Sequence, residues 1–352
     1  MAMKLRDLFR QGRTSSRLAG NDPAATPGVV HASSDELVRC RLLARDLRLD
    51  SRQSARSAIT GVHASRFRGR GMDYQESRVY QPGDDIRSMD WRVTARSGHA
   101  HVKLYQEERE RPVVVMIDLG PGMFFATRGA FKSVIAARAA ALIGWAAVQN
   151  GDRIGALLFN GGHHEIRPLG GQRGVLRLIR ELVTATEPAL DPAPDPAPDP
   201  AQAMTGRAVN TETSHLNEAL LRLRRVARPG SLVFILSDFY AINEDSRRHL
   251  QDLRQHNDIV ACQIVDALEL EPPAAGSYAI SDGVHTGLLD TRSAARRAAY
   301  SEYFASHHRA VRDLMRQCAV HLHRIATTDD VARTLRHGLA HPGIDVSPEA
   351  AA

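Results

Sequence analysis

VVVMIDLG, Val113–Gly120, is the stretch that decides the fold. A continuous apolar run with no polar alternation describes a strand covered on both faces, and such strands belong to parallel sheets sandwiched between helices. The Asp-Leu-Gly that closes the run puts a carboxylate, Asp118, at the carboxyl end of that strand. SLVFILSD, Ser231–Asp238, has the same form and the same acidic ending, and DIVACQIVD, Asp258–Asp266, is a further strand of this kind.

Between these runs the hydrophobic period changes from that of a strand to that of a helix. A mostly apolar helix is predicted from Phe131 to Asn150, and others carry Val175, Leu178, Ile179, Leu182 and Val183, then Leu216, Leu220, Leu223 and Val226, with one more near Ser246–His256. DRIGALLFN (152–160) and HEIRPL (164–169) read as strands, with His163 and His164 in a surface loop after Gly161-Gly162. A hairpin at Tyr278–Leu289, a long helix from about Thr291 to Cys318, the strand VHLHRI and a final helix complete the pattern. Alternating strands and helices specify an α/β domain over residues 112–340, a doubly wound and mostly parallel sheet flanked by helices.

Upstream the pattern differs. Ser33 and Glu36 have capping-box spacing ahead of Leu37, Val38, Leu42, Leu43 and Leu47, which predicts one amphipathic helix. From Gly61 to Arg111 short strand-like pieces, RVY and HAHVKLYQ, alternate with the turn signals QPGDD and SGH. Helix and β-rich module together are read as residues 33–111. Residues 1–32 read as a disordered basic tail and 341–352 as a loose one. A Pro-rich insertion spans 188–212, where DPAPDPAPDPA, Asp191–Ala201, suits solvated polyproline II because proline donates no backbone hydrogen bond.

The 352 residues carry a net charge of +6 and a pI near 9.5, and Glu36–Arg111 holds 16 Lys/Arg against 11 Asp/Glu. Those arginines alternate with acids and aromatics are only 5% of the chain, so no stacking platform for single-stranded nucleic acid is expected. A salt-sensitive nucleic-acid binder remains the outside reading. No apolar run approaches the length of a membrane span. Cys40, Cys262 and Cys318 lie far apart without metal-ligand spacing, and the N-terminus lacks the apolar segment of a secretory signal. A cytoplasmic protein is expected.

If the strands ending at Asp118 and Asp238 are neighbours, their carboxylates face one crevice beyond the sheet, where open α/β folds bind ligands. Ser214, read as the start of its helix, would join them, and the three form the skeleton of an oxygen-ligand cation site. Ser214 also reads as a helix cap. A second concentration of charge is RVYQPGDDIRSMDW, Arg78–Trp91. No phosphate-cradling glycine loop accompanies it, so Asp84, Asp85 and Asp90 are read as turn formers paired with Arg78, Arg87 and Arg96, with Tyr80 and Trp91 as packing anchors and Gly83 in the turn. The string is then a structural clasp between the β module and the sheet domain.

The strand-end aspartates with a later serine resemble the von Willebrand factor A domain and its metal-ion-dependent adhesion site. Over about Ser33–Leu339 the chain more specifically resembles the bacterial domain of unknown function 58 family, whose hallmark is similar to RVYQPGDDIRSMDWRVTAR, Arg78–Arg96. That resemblance implies a cytosolic, non-enzymatic partner of MoxR-type AAA+ ATPases acting on client proteins. It also implies a cation site at Asp118, Ser214 and Asp238, and here the chain departs from the adhesion pattern Asp-x-Ser-x-Ser. Gly120 and Gly122 stand where that pattern has serines. The expectation is a degenerate site that holds Mg2+ weakly or not at all, with Gly120, Gly122 and Met123 forming a rim for a protein partner. A working Mg2+ or Mn2+ adhesion site is the alternative.

Overall fold

The computed structural model describes residues 9–10, 28–49, 72–107, 111–160, 162–187, 207–281 and 286–340. The repeat Asp191–Ala201 and residues 341–352 lie outside the described residues. The chain divides into two compact units, residues 54–110 and the remainder.

The larger unit opens with β1 (Phe9–Arg10), which pairs antiparallel with Leu289 and Leu288. Packed structure is already present ahead of the expected Ser33: Ala32 is fully buried and donates its N–H to Thr186 Oγ1 at 3.1 Å. Helix α1 (Ser34–Leu43) follows. Its expected capping box does not form, because Glu36 turns away to accept from Arg138 Nε at 2.6 Å.

The smaller unit holds β2 (Met72–Val79), α2 (Trp91–Ser97) and β3 (His101–Glu107), with β2 and β3 antiparallel. Within it Arg78 Nη2 pairs with Asp84 Oδ1 at 2.7 Å, and Asp84 Oδ2 accepts from the Gln81 N–H at 2.8 Å. Gly83, at φ +107, supplies the left-handed step of that turn. Among the described residues the ion pairs expected through Arg87 and Arg96 are missing. Asp85 instead accepts from the Arg87 N–H at 2.9 Å, and Asp90 caps α2 through the N–H groups of Arg92 and Val93 while accepting from Ser77 Oγ at 2.7 Å. Trp91 is corrected too: as the first residue of α2 it is 68% exposed, and the buried member of the Asp-Trp pair is Asp90.

The chain then enters the sheet at β4 (Pro112–Asp118) and continues through α3 (Lys132–Gln149), β5 (Arg153–Phe159), β6 (His163–Gly170), α4 (Gly171–Thr186), α5 (Arg207–Val226), β7 (Leu232–Ser237), α6 (Glu244–Arg254) and β8 (Asp258–Val265). The short helix α7 (Ala267–Leu270), the hairpin β9 (Ser277–Ser281) and β10 (Thr286–Asp290), α8 (Ala294–Gln317), β11 (His321–Ala326) and α9 (Val331–Ala340) complete it. His163 and His164 open β6 and do not sit in a loop.

The sheet has six strands in the order β11-β8-β7-β4-β5-β6, parallel except for the edge strand β6. This is the doubly wound arrangement expected from the apolar runs. Side chains alternate between two cores. Val113, Val115 and Ile117 of β4 face a layer containing α1, α3, α4 and α9, whereas Val114 and Met116 face α5, α6 and α8. Helix α1 therefore belongs to the sheet unit and not with the β module. Leu37 and Cys40 are buried in the first core, and Trp145 of α3 donates Nε1–H to the Leu37 carbonyl at 3.0 Å.

Candidate functional site

Adjacent strands β4 and β7 are followed by helices on opposite faces, α3 on one and α6 on the other, which leaves a crevice at their carboxyl ends. Asp118 ends β4 one residue past the pairing of Ile117 with Leu236, and Asp238 follows β7 two residues past it. Asp118 Oδ1 accepts from the Gly120 N–H at 2.8 Å, and its Oδ2 accepts from Ser237 Oγ at 2.6 Å. Ser237 Oγ in turn accepts from the Phe239 N–H at 2.9 Å. Phe239 has a left-handed backbone at φ +61, uncommon for a bulky residue, and it turns the chain so that Asp238 Oδ1 accepts from the Tyr240 N–H at 3.2 Å.

Facing these acids is a side chain the sequence did not single out. Lys132, the first residue of α3, is only 1% exposed. Its ammonium forms a close ion pair with Glu269 and lies 3.6 Å from Asp238 Oδ2 and 5.5 Å from the centre of the Tyr240 ring. A buried charge is tolerated only when it is paired, and the fold secures the partner. Glu269 sits in α7, where its Oε2 accepts from the Asp266 N–H at 2.9 Å while Asp266 caps that helix through the Leu268 N–H at 3.0 Å. Asp266 is anchored by Thr127 Oγ1 at 2.6 Å and Thr327 Oγ1 at 2.9 Å. Burial pushes the Asp266 carboxyl up, but these hydrogen bonds outweigh it and hold the group below the usual carboxylate range. Burial pushes Glu269 up as well, and the ammonium of Lys132 only partly draws it back.

Two histidines close the far side. His307 stacks on Tyr240 at 4.0 Å between ring centres and donates Nε2–H to the Asp238 carbonyl at 3.0 Å. His308 accepts from Gln263 Nε2 at 3.2 Å and reaches the Glu269 carbonyl at 3.3 Å. Burial pulls His308 down from 6.5 to about 4. An unfolded histidine takes up its proton near 6.5 while the folded one resists until about 4, so the stability this contributes is complete above 6.5 and lost as pH falls toward 4. Thermal melts across that range should show the midpoint dropping, with a shallower drop for His308→Gln.

The other expected site residues fare unevenly. Gly120 is half-buried and Gly122 exposed at the crevice mouth, but Met123 is 1% exposed. It ends the tight turn Pro121–Met123 with its side chain in the core beside α3, so it cannot form part of a rim. Ser214 is not at a helix start, because α5 begins at Arg207 and Ser214 falls in its second turn. The capping reading fails with that, and the Ser214 side chain lies outside the described residues.

The divalent cation implied by the adhesion-type resemblance does not fit these residues. A Cβ at Gly122 would stand 2.9 Å from Asp238 Oδ2, and one at Gly120 would stand 3.1 Å from Asp118 Oδ1, so a serine at either position would require the carboxylate to shift. Among the described residues no group of three or more His, Cys, Asp or Glu side chains is placed to hold a metal ion. A lysine ammonium, itself a cation, borders Asp238.

Residues 76–310 match the family described as "Protein of unknown function DUF58". Uncharacterised proteins of Mycobacterium tuberculosis and Mycobacterium bovis are each 30% identical over 313 residues, 86% of this chain and 92% of theirs. Among solved structures, the conserved hypothetical protein BatB from Bacteroides thetaiotaomicron is 7% identical at a TM-score of 0.37, covering 65% of this chain and 97% of that one. An aerotolerance-related membrane protein from Bacteroides fragilis is 9% identical at 0.33 over 59% of this chain and 98% of that one. A von Willebrand factor type A protein from Catenulispora acidiphila is 13% identical at 0.32 over 68% of this chain and 43% of that one. Among the described residues no helix is long and apolar enough to cross a membrane.

Proposed function

We propose, of a chain that belongs to the DUF58 family, that it is a non-enzymatic cytoplasmic interaction protein. In this reading its sheet domain docks on a MoxR-type AAA+ ATPase and presents client proteins for remodelling or maturation. The supporting observation is the state of the acids at the switch point. A general acid or base needs a proton to exchange with substrate, but Asp118 is held by Ser237 and Gly120, and Asp238 lies against Lys132. Carboxylates held this way are fixed in place and shape a surface. Above them the turn Pro121–Met123 offers exposed backbone at Pro121 and Gly122, where a partner chain can approach closely. The ATPase as partner follows from the sequence resemblance.

The test is capture of a purified MoxR-type ATPase from the same organism on the tagged chain. Wild type should retain it and Pro121→Arg, which projects a long cation from an exposed turn, should not. Equal retention by both would remove the rim from the interface.

A further inference from the structure

We infer that Lys132 is a built-in cation standing in for the divalent metal of an adhesion-type site, so that this crevice keeps its shape and charge balance without any metal ion. The inference rests on reading the crevice as the degenerate docking site proposed above.

Three observations carry it. The first is charge: Asp238 and Glu269, both nearly buried, converge on one ammonium that is itself 1% exposed. A buried charge is tolerated only when it is paired, and here the ammonium has a carboxylate on either side. The second is origin. Lys132 is the first residue of α3, which follows β4 in the chain after the turn Pro121–Met123, and its ammonium meets Asp238 and Glu269. A cation is disfavoured at a helix N-terminus by the helix dipole, and its placement there needs the two carboxylates as compensation. The third is space. With glycines at 120 and 122, the acids lie within 3.1 and 2.9 Å of where Cβ atoms would be. Serine side chains there would press on these acids, one of which, Asp238, Lys132 already borders. A metal adds two charges and demands about six oxygens. One ammonium adds a single charge and donates three hydrogen bonds, which suits two acids with few free oxygens.

The consequence is constitutive recognition: a partner meets the same surface whatever the free Mg2+ level. The experiment titrates the full chain with Mn2+ alone, following melting temperature and bound Mn2+ by electron paramagnetic resonance. Wild type should melt at the same temperature throughout and leave Mn2+ free. Lys132→Ser, which removes the ammonium and leaves the acids, should bind Mn2+ at least about tenfold more tightly than wild type and melt higher as Mn2+ is added. Saturable Mn2+ binding by wild type that Asp238→Ala abolishes would overturn the inference. So would a folded Lys132→Ser that gains no affinity. Should Lys132→Ser fail to fold, the wild-type titration decides alone. Because no ATPase is present, this result and the capture result are independent, and either reading can fail without the other.

Discussion

Lys132→Met is expected to cost about 3–5 kcal/mol in urea unfolding, the range found when one member of a buried ion pair is removed and its partner is left uncompensated. Methionine nearly preserves the volume of the stem, so cavity formation contributes little and the loss isolates charge. Two acids are stranded, Asp238 and Glu269. Burial already raises the Glu269 carboxyl, and without the ammonium it rises further. An acid whose folded pKa is raised destabilises most above that pKa and is relieved as pH falls and it takes up a proton. The gap between Lys132→Met and wild type should therefore narrow on acidification, even as His308 lowers the stability of both. A loss below about 1 kcal/mol, or a gap that does not change with pH, would show that the ammonium does not neutralise these acids.

Trp145→Ala should cost about 3–5 kcal/mol, as truncating a large buried aromatic does. Trp145 is 3% exposed, and its indole N–H is the donor that fixes the Leu37 carbonyl of α1 at 3.0 Å. The guanidinium of Arg41, also on α1, lies 5.6 Å from the ring centre. The substitution therefore opens a cavity and unseats the first helix from the sheet domain together. Trp91→Ala is the internal comparison. At 68% exposure it should change stability by about 0.5 kcal/mol or less. Similar losses from the two changes would contradict the assignment of α1 to the sheet unit.

What could be read in advance follows from how local each signal is. The strands at Val113, Leu232 and Asp258 are uninterrupted apolar runs, and burial on both faces is written into each one separately. The meeting of Asp118 with Asp238 followed from strand ends plus the doubly wound order, which needs no side-chain detail. Lys132 was invisible because its significance lies in partners far along the chain: Glu269 is 137 positions away and sits on a four-residue helix too short to show periodicity. One signal was present. A lysine opening a helix that is otherwise almost wholly apolar, KSVIAARAAALIGWAAVQ, has no solvated face to occupy. The placement of α1 was equally hidden, since an amphipathic helix announces that it packs but not on what. The acidic string around Asp84 was legible as turn chemistry, but its arginines were overread: short acids next to a tight turn find backbone N–H groups first.

The two glycines beside the strand-end acids also restrict how this sequence can change. Serine at position 122 meets Asp238 Oδ2 at 2.9 Å while Lys132 holds that carboxylate in place. Replacing Lys132 first leaves two buried acids with no counter-charge. Without a metal ion present, each single change is therefore unfavourable alone. Mutational effects at positions 122 and 132 should therefore be strongly non-additive, because both act on the same carboxylate.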